Sequence, residues 1–345
     1  MKVLLAGLGS IGQRHARNLR AVAGDNLDLL AYRVRRLRHV ITSELSVETG
    51  VDVESRYNVK VYLDLDEALA QKPDAVFVTN PNSQHLPVAL AAARTGCNLF
   101  IEKPLSQNFE GISELINLVE KRGLVCLVGY QLRFHPGFKA LQSLLEQKAI
   151  GRLLEARLTF GEYLPCWHKY EDYRQYHASR REQGGGVILS QIHDLDYAYS
   201  LFGMPRRLFA LGGKLSSLEI DVEDTASILM ECVVEGKPVP VHVHQDYIQR
   251  SPRRTCEVIG DAGKIMLDFH ALTLQVFDNH GELAHSHTFN GLQRNQLFLD
   301  ELKHFLACVR GEQRPMVTVR DGAQSLRVAL AAKESLLTGR VVELN

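Results

Sequence analysis

Two segments of this sequence set proton-transferring side chains beside residues that restrict the backbone. The first is Glu102-Lys103-Pro104, which closes the apolar run Asn98–Ile101. An amine accepts a hydroxyl proton when burial or a nearby positive charge lowers its pKa. Alcohol oxidation needs such a group as hydride leaves carbon, so Lys103 is a candidate catalytic residue. A surface-loop lysine would have the same local sequence. The second segment is Gly184-Gly185-Gly186, which runs into Val187-Ile188-Leu189-Ser190-Gln191-Ile192-His193-Asp194-Leu195-Asp196. Glycines let the backbone come close to another group. His193 and Asp196 fall one helical turn apart, where a carboxylate could orient or charge an imidazole. His193 is the second candidate catalytic residue, with a structural helical histidine as the alternative.

A third segment, Gly7-Leu8-Gly9-Ser10-Ile11-Gly12, follows an apolar strand and opens a helix. In that context the spacing is a dinucleotide fingerprint. Gly7 permits the tight turn, Gly9 lets backbone approach a pyrophosphate, and Gly12 lets the helix pack on the sheet. The helix N-terminus offers free N–H groups to phosphate. Gly7, Gly9, Ser10, Ile11 and Gly12 are therefore expected cofactor contacts. An acid usually ends the second strand where a ribose 2′-hydroxyl is bound. Here the chain reads Tyr32-Arg33, then Arg35, Arg36 and Arg38. Arginine suits a 2′-phosphate, and a solvated basic stretch is the other reading. The expected cofactor is NAD or NADP, with Arg33 among its contacts and a lean toward NADP.

These segments need elements to hold them. Lys2–Ala6, Leu27–Tyr32, Val59–Tyr62, Asp74–Thr79, Asn98–Ile101 and Leu124–Gly129 read as strands that are largely apolar. Helical stretches alternate with them, two closed by Gly96 and Gly123. Such strands imply a parallel sheet covered on both faces, the doubly wound pattern. Ligands bind there at the carboxyl ends of strands. That places Asn80 and Pro81, at the end of strand four, with His85, Glu102 and Lys103 on the cofactor side. After Gly151 longer strands with polar alternation appear, such as Leu153–Phe160, Ser227–Val234 and Val239–Gln245. They suit an antiparallel or mixed sheet with one open face. The helices Asn295–Arg310 and Gly322–Leu337 close the chain, and the division is expected near Gly123.

Composition narrows the function classes. Lysine plus arginine number 40 and aspartate plus glutamate 40 in 345 residues, so no bulk field favours nucleic acid or a membrane surface. No stretch approaches the ~20 apolar residues of a membrane span. The six cysteines form no C-x-x-C pair, as expected of a reduced, cytoplasmic protein. His242 and His244 share a strand face without a clear third ligand, so no metal is expected. The run Trp167-His168-Lys169-Tyr170-Glu171-Asp172-Tyr173-Arg174 mixes rings and charges as sugar pockets do, which makes Trp167 and His168 candidate substrate contacts. An irregular surface loop would read the same way.

Taken together, GLGSIGQRH (7–15), EKPL (102–105), GYQLRFHP (129–136) and GGGVILSQIHDLD (184–196) resemble the glucose–fructose oxidoreductase / inositol dehydrogenase / MocA (Gfo/Idh/MocA) family. Asn295, ELKHF (301–305) and AAKES (331–335) extend the likeness nearly end to end. The resemblance implies an N-terminal Rossmann domain, residues 1–123, and a C-terminal α/β domain with a large open mixed sheet, residues 124–345. It implies a homodimer or homotetramer built through that sheet. It gives Lys103 and His193 the catalytic roles, and places Tyr130, Arg133 and His193 on the substrate side. The implied reaction is hydride transfer at a secondary alcohol or ketone of a sugar, cyclitol or nucleotide-sugar. Two other activities occur among such proteins: glycoside cleavage through transient oxidation by a retained NAD, and cofactor sensing without catalysis. One departure stands out. Many members carry an aspartate shortly before the histidine, where this chain has Ser190.

Overall fold

The computed structural model describes residues 1–34, 39–43 and 45–344. The first part of the chain runs β1 (Lys2–Ala6), α1 (Ser10–Ala23), β2 (Asp28–Tyr32), the hairpin β3 (Val40–Ile41) and β4 (Val47–Glu48), α2 (Val53–Tyr57), β5 (Val59–Tyr62), α3 (Leu65–Leu69), β6 (Ala75–Val78), α4 (His85–Thr95), β7 (Asn98–Glu102), α5 (Ile112–Arg122) and β8 (Cys126–Gly129). Six of these strands form a parallel sheet in the order β5-β2-β1-β6-β7-β8. Val3, Leu4, Leu5 and Ala6 of β1 are wholly buried, as are Ala75 to Val78 of β6. Unbroken burial along a strand is what helices on both faces produce. The strand order reverses between β1 and β6, so the crevice for a ligand opens there.

The expected division near Gly123 cuts this sheet too early. β8 lies beyond that glycine and pairs in parallel with β7, Leu99 opposite Cys126 and Glu102 opposite Gly129. Gly123 only closes α5, with a positive φ of 64°. The chain leaves the sheet after Gly129.

The remainder runs α6 (Pro136–Glu146), β9 (Leu153–Gly161), α7 (Val187–Ser190), α8 (His193–Phe202), β10 (Arg207–Gly213), β11 (Thr225–Val234), β12 (Lys237–Asp246), β13 (Arg253–Gly260), β14 (Gly263–Asp268), β15 (Thr273–Phe277), β16 (Leu283–Thr288), α9 (Arg294–Val309), α10 (Val319–Thr338) and β17 (Val342–Glu343). The second sheet has nine strands in the order β16-β15-β14-β13-β9-β12-β11-β10-β17. It is mixed, because β12 pairs in parallel with β9 while its other pairs are antiparallel. One face is buried, through Ala156, Leu158, Val241, Val243, Cys256 and Val258. On β10 and β11, Leu211 and Leu229 of the other face are 63% and 53% exposed.

The closing helices return to the first sheet. Leu302, Phe305 and Leu306 of α9 share a core with Val3, Leu5, Phe77 and Phe100. Phe305 is fully buried and meets Phe77 and Phe100 edge-on, at centroid distances of 5.3 and 5.5 Å. Truncating such a phenylalanine costs about 3–5 kcal/mol. α10 starts with a capping box between Thr318 and Asp321, and its Gly322 abuts Val128 of β8. The C-terminal segment therefore locks the first sheet in place under the site.

Candidate functional site

The glycine-rich turn joins β1 to α1 at the strand-order reversal. Gly7 has a φ of +116°, and a Cβ on it would meet the Thr79 carbonyl oxygen at 2.9 Å. A Cβ on Gly12 would fall 2.2 Å from the Gly7 carbonyl oxygen, so helix and turn are in direct contact there. Gly9 differs: a Cβ on it would meet nothing within 4 Å. The protein's own packing does not require that glycine, whereas a pyrophosphate against the backbone would. α1 begins at Ser10 with no side-chain cap and no acid in its first turn, leaving Ser10 and Ile11 at a free helix N-terminus. These residues fit a dinucleotide.

Other expected cofactor contacts lie at the neighbouring strand ends. Asn80 follows β6, and its Oδ1 is buried with no partner among the described residues. Pro81 begins the short turn that leads into α4. His85 points its ring nitrogens at two carbonyl oxygens, Pro104 at 2.7 Å and Asn80 at 2.8 Å. It thus ties the β6 and β7 loops together rather than presenting a free ring. Glu102 is 7% exposed and its Oε1 lies 2.7 Å from Nε2 of the wholly buried His15. That carboxylate supports the end of β7 from α1, where a cofactor contact was expected. Arg33 is also buried, with Nη1 3.7 Å from Glu54 Oε1. Arg35, Arg36 and Arg38 lie outside the described residues.

Lys103 and His193 converge from different halves of the chain. Lys103 stands just past β7, partly buried, and its Nζ donates to the Ser190 carbonyl oxygen at 2.5 Å. Burial is the main cause that brings its pKa down to about 8. Glu102 and Asp194 oppose that shift, while Arg254 and Arg294 add to it. His193 is the first residue of α8 and 4% exposed. Its Nε2 lies 3.3 Å from the Gln131 side-chain amide, and its ring meets the Tyr130 ring edge-on at 5.7 Å. Burial first, then the charges of Lys103, Arg254 and Arg294, hold the imidazole neutral. Its position at a helix N-terminus works in the same direction. Its Nδ1 is buried without a partner among the described residues.

The proposed pairing of Asp196 with His193 is not what the fold builds. Asp196 receives two bonds from Arg133, Nε to Oδ2 at 2.7 Å and Nη2 to Oδ1 at 2.9 Å, and one from Ser325 Oγ at 2.9 Å. The same contacts engage Arg133, which was expected on the substrate side, with the protein itself. Its guanidinium is enclosed against Asp196 and Ser200. Tyr130 is wholly buried and backs the histidine rather than lining a cleft. The three glycines at 184–186 serve the chain itself. Side chains there would strike Asn82, the backbone at 177–178, and Glu223. In addition, Asn82 Nδ2 donates to the Gly184 carbonyl at 2.8 Å, fastening the β6 loop to the glycine run.

Trp167 packs edge-on against Tyr247 at 5.2 Å, with Phe160 and Tyr176 close by, and its Nε1 has no partner among the described residues. His168 stacks on Tyr170 at 5.2 Å and lies 3.2 Å from Glu171. The Tyr170 hydroxyl in turn lies beside Ser10, so this loop reaches the N-terminus of α1. Sequence reasoning missed two polar residues that contact the segment before His193. Arg254 of β13 and Gln245 of β12 stand on the buried sheet face, and Gln245 Nε2 donates to the Gln191 carbonyl at 2.5 Å. Neither belongs to a motif; only their inward register gives them away. Among the described residues, no group of three or more His, Cys, Asp or Glu could hold a metal ion.

Comparison with known proteins agrees with this geometry. The family model described as "Oxidoreductase family, NAD-binding Rossmann fold" matches residues 1–130, and that of the GFO/IDH/MocA C-terminal domain matches residues 138–266. The chain is 29% identical to myo-inositol 2-dehydrogenase of Thermotoga maritima, over 100% of this chain and 98% of that one. It is 24% identical to scyllo-inositol 2-dehydrogenase (NAD(+)) of Bacillus subtilis, over 100% and 96%. Among solved structures, the WlbA dehydrogenase from Bordetella pertussis in complex with NADH and UDP-GlcNAcA superposes with a TM-score of 0.80, at 19% identity over 100% and 99% of the two chains. The two family models together match residues 1–130 and 138–266, most of the sequence, so the chain belongs to the GFO/IDH/MocA oxidoreductase family.

Proposed function

We propose that this oxidoreductase interconverts a secondary alcohol and a ketone on a sugar, cyclitol or nucleotide-sugar, with Lys103 as acid–base and His193 beside it. The observation that carries this reading is the Lys103 amine, brought down to about 8 and aimed by the Ser190 carbonyl next to a neutral imidazole. A bound nicotinamide supplies the hydride chemistry. The remaining work belongs to side chains. The free Lys103 amine takes the hydroxyl proton in oxidation, and its ammonium returns one in reduction. Neutral His193 can share a hydrogen bond with the same hydroxyl and hold it toward the lysine. The Ser190 backbone carbonyl orients the Lys103 amine. Gly9 and the N-terminus of α1 would hold the pyrophosphate, and Asn80 and Pro81 would border the cofactor.

The finer cofactor reading is that NADPH binds at least as tightly as NADH. It is supported by Arg33 following Tyr32 where an acid would favour NAD. We also read residues up to Gly129 as the cofactor part and the nine-stranded part as the substrate and assembly part. Its exposed Leu211 and Leu229 suit a contact between copies of the chain. Six free thiols suit the cytoplasm. No helix among the described residues is long and apolar enough to cross a membrane.

The test is a screen of polyols, cyclitols and nucleotide-sugars with both cofactors, followed at the nicotinamide absorbance. Turnover of at least one, abolished by Lys103→Met, is the expected result. Cofactor binding without turnover of any of them would favour a sensing role instead.

A further inference from the structure

The segment between β9 and α7 is fastened at both ends to the half of the chain that carries the second sheet. The Leu164 amide donates to the Tyr247 carbonyl at 3.0 Å, and Trp167 packs on the Tyr247 ring. Farther on, Ser179 Oγ donates to the Tyr173 carbonyl at 2.5 Å, and the Glu219 amide to the Tyr173 hydroxyl at 3.2 Å. Between these anchors the chain crosses to the first sheet. The Tyr170 ring stacks on His168 at 5.2 Å and meets the His39 ring edge-on at 6.5 Å. His39 is the residue before β3, and its carbonyl accepts from Nε2 of Gln13 on α1 at 3.3 Å. Gln13 is wholly buried, and its Oε1 accepts in turn from the Ile41 amide at 2.7 Å. The surface that receives Tyr170 is thereby fixed to α1.

The Tyr170 hydroxyl meets the side chain of Ser10, the first residue of α1. This is the end of the fingerprint turn, where the space beside Gly9 is open and the helix has neither a side-chain cap nor an acid in its first turn. Burial pushes the Tyr170 phenol up to about 12, and Glu171 adds to that while Ser10 and Arg14 oppose it. The hydroxyl therefore keeps its proton at neutral pH. The free amide groups of the helix end, the Ser10 hydroxyl and the Tyr170 hydroxyl can all donate hydrogen bonds, which suits an anion. A tyrosine that only tied the two halves together would need no more than its ring, which His168 and His39 already engage. Its hydroxyl is placed at the helix end that a pyrophosphate would occupy.

We infer that Tyr170 is a cofactor-binding residue supplied by the substrate half of the chain: its hydroxyl donates to the dinucleotide pyrophosphate at the N-terminus of α1, and its ring, seated on His39, holds the loop across the crevice. With the dinucleotide in place, the Tyr170 proton turns from the neutral Ser10 oxygen to a charged phosphate oxygen, a stronger acceptor. The loop must lift before the dinucleotide can leave, so the same contact slows cofactor release. The inference rests on reading the fingerprint turn as the cofactor site.

The probes are NADH and ADP-ribose, which share the pyrophosphate and differ in the nicotinamide. Both are titrated into the protein by calorimetry, and NADH release is followed by stopped-flow fluorescence on displacement with excess ADP-ribose. Tyr170→Phe keeps the ring and removes the donor. It should bind both probes about tenfold or more weakly, the size expected when a hydrogen bond to a charged group is lost. It should release NADH correspondingly faster, with circular dichroism and melting temperature near native. Tyr170→Ala should release NADH faster still, because it also gives up the His39 contact. Affinity and release rate within about twofold of the parent in Tyr170→Phe would overturn the inference. So would a loss confined to NADH, which would put the hydroxyl at the nicotinamide. A loss seen only in Tyr170→Ala would leave the ring as a structural tie and overturn it as well. A parent protein that binds neither probe would instead refute the cofactor reading itself, and this inference with it.

Discussion

Lys103 Nζ lies 2.5 Å from the carbonyl oxygen of Ser190, so the amine at the end of the first sheet is positioned by the last residue of α7. A carbonyl orients the amine without adding a full negative charge beside it. A carboxylate in that place would raise the lysine pKa. Ser190 therefore keeps the amine aimed while burial lowers its pKa. Replacing Lys103 with Met retains the length and the apolar stem but removes proton transfer. Turnover should fall about a hundred- to ten-thousand-fold, the usual contribution of placed acid–base catalysis. Cofactor affinity should change little, because the pyrophosphate site is at Gly9. Steady-state kinetics with a separate NADH titration decide this, and turnover within a few-fold of the parent would rule out Lys103 as the acid–base.

The pH profile has a defined sign. Oxidation requires the free amine, so kcat/KM in that direction should rise with pH and level off above about 8. Reduction requires the ammonium, so its rate should fall as pH rises through the same value. His193 is held neutral well below its ordinary range and should add no limb near pH 6.5. Arg254→Gln or Arg294→Gln removes a charge that lowers the Lys103 pKa, so either should move the limb upward. A profile flat from pH 7 to 9 in both directions would exclude titration of Lys103 in the rate-limiting step.

Much of this site could be read from local patterns, and the exceptions share a cause. Gly7, Gly9 and Gly12, the strand-end position of Lys103 and the helix-start position of His193 are consequences of short-range sequence. The role of Asp196 was misread because helical spacing allows a meeting with His193 that a distant residue pre-empts. Arg133 reaches Asp196 across 63 positions of sequence, and Ser325 across 129. Arg254 was invisible for the same reason: it reaches Gln191 and Asp194 through long-range packing of a strand that carries no motif. The boundary was placed early because Gly123 is a good helix stop, and a helix stop says nothing about whether the next strand joins the same sheet.

The fingerprint glycines should separate ligand binding from folding. Gly9→Val puts a side chain into space that the protein leaves open, so circular dichroism and melting temperature should stay near native while cofactor binding is severely weakened. Gly12→Ala drives a Cβ to 2.2 Å from the Gly7 carbonyl oxygen, so it should destabilise the protein itself, by about 1–3 kcal/mol for overpacking. Paired calorimetric titrations and thermal melts give both readouts. Undiminished NADH binding by Gly9→Val would mean that the turn does not hold the phosphates.

Arg133 and Asp196 provide the opposite control, charged residues near the site that act on stability. Asp196 is 2% exposed and takes two bonds from Arg133, whose own side chain is 11% exposed. Arg133→Met leaves that carboxylate buried with Ser325 Oγ as its remaining side-chain donor. Breaking a buried pair by removing one partner costs about 3–5 kcal/mol, because the other charge stays behind uncompensated. Removing both charges is milder, so Arg133→Met with Asp196→Leu should recover part of the loss. The pair also anchors α8 to the turn after β8, so His193 should shift only if the single variant unfolds locally. At a temperature where Arg133→Met is folded, KM for the substrate should stay within about threefold of the parent, as expected when no substrate contact is lost. Chemical denaturation of the single and double variants, with kinetics on each, makes the distinction. An Arg133→Met protein with native stability and a steeply raised KM would restore Arg133 to the substrate side, and would mean that its guanidinium leaves Asp196 when substrate binds.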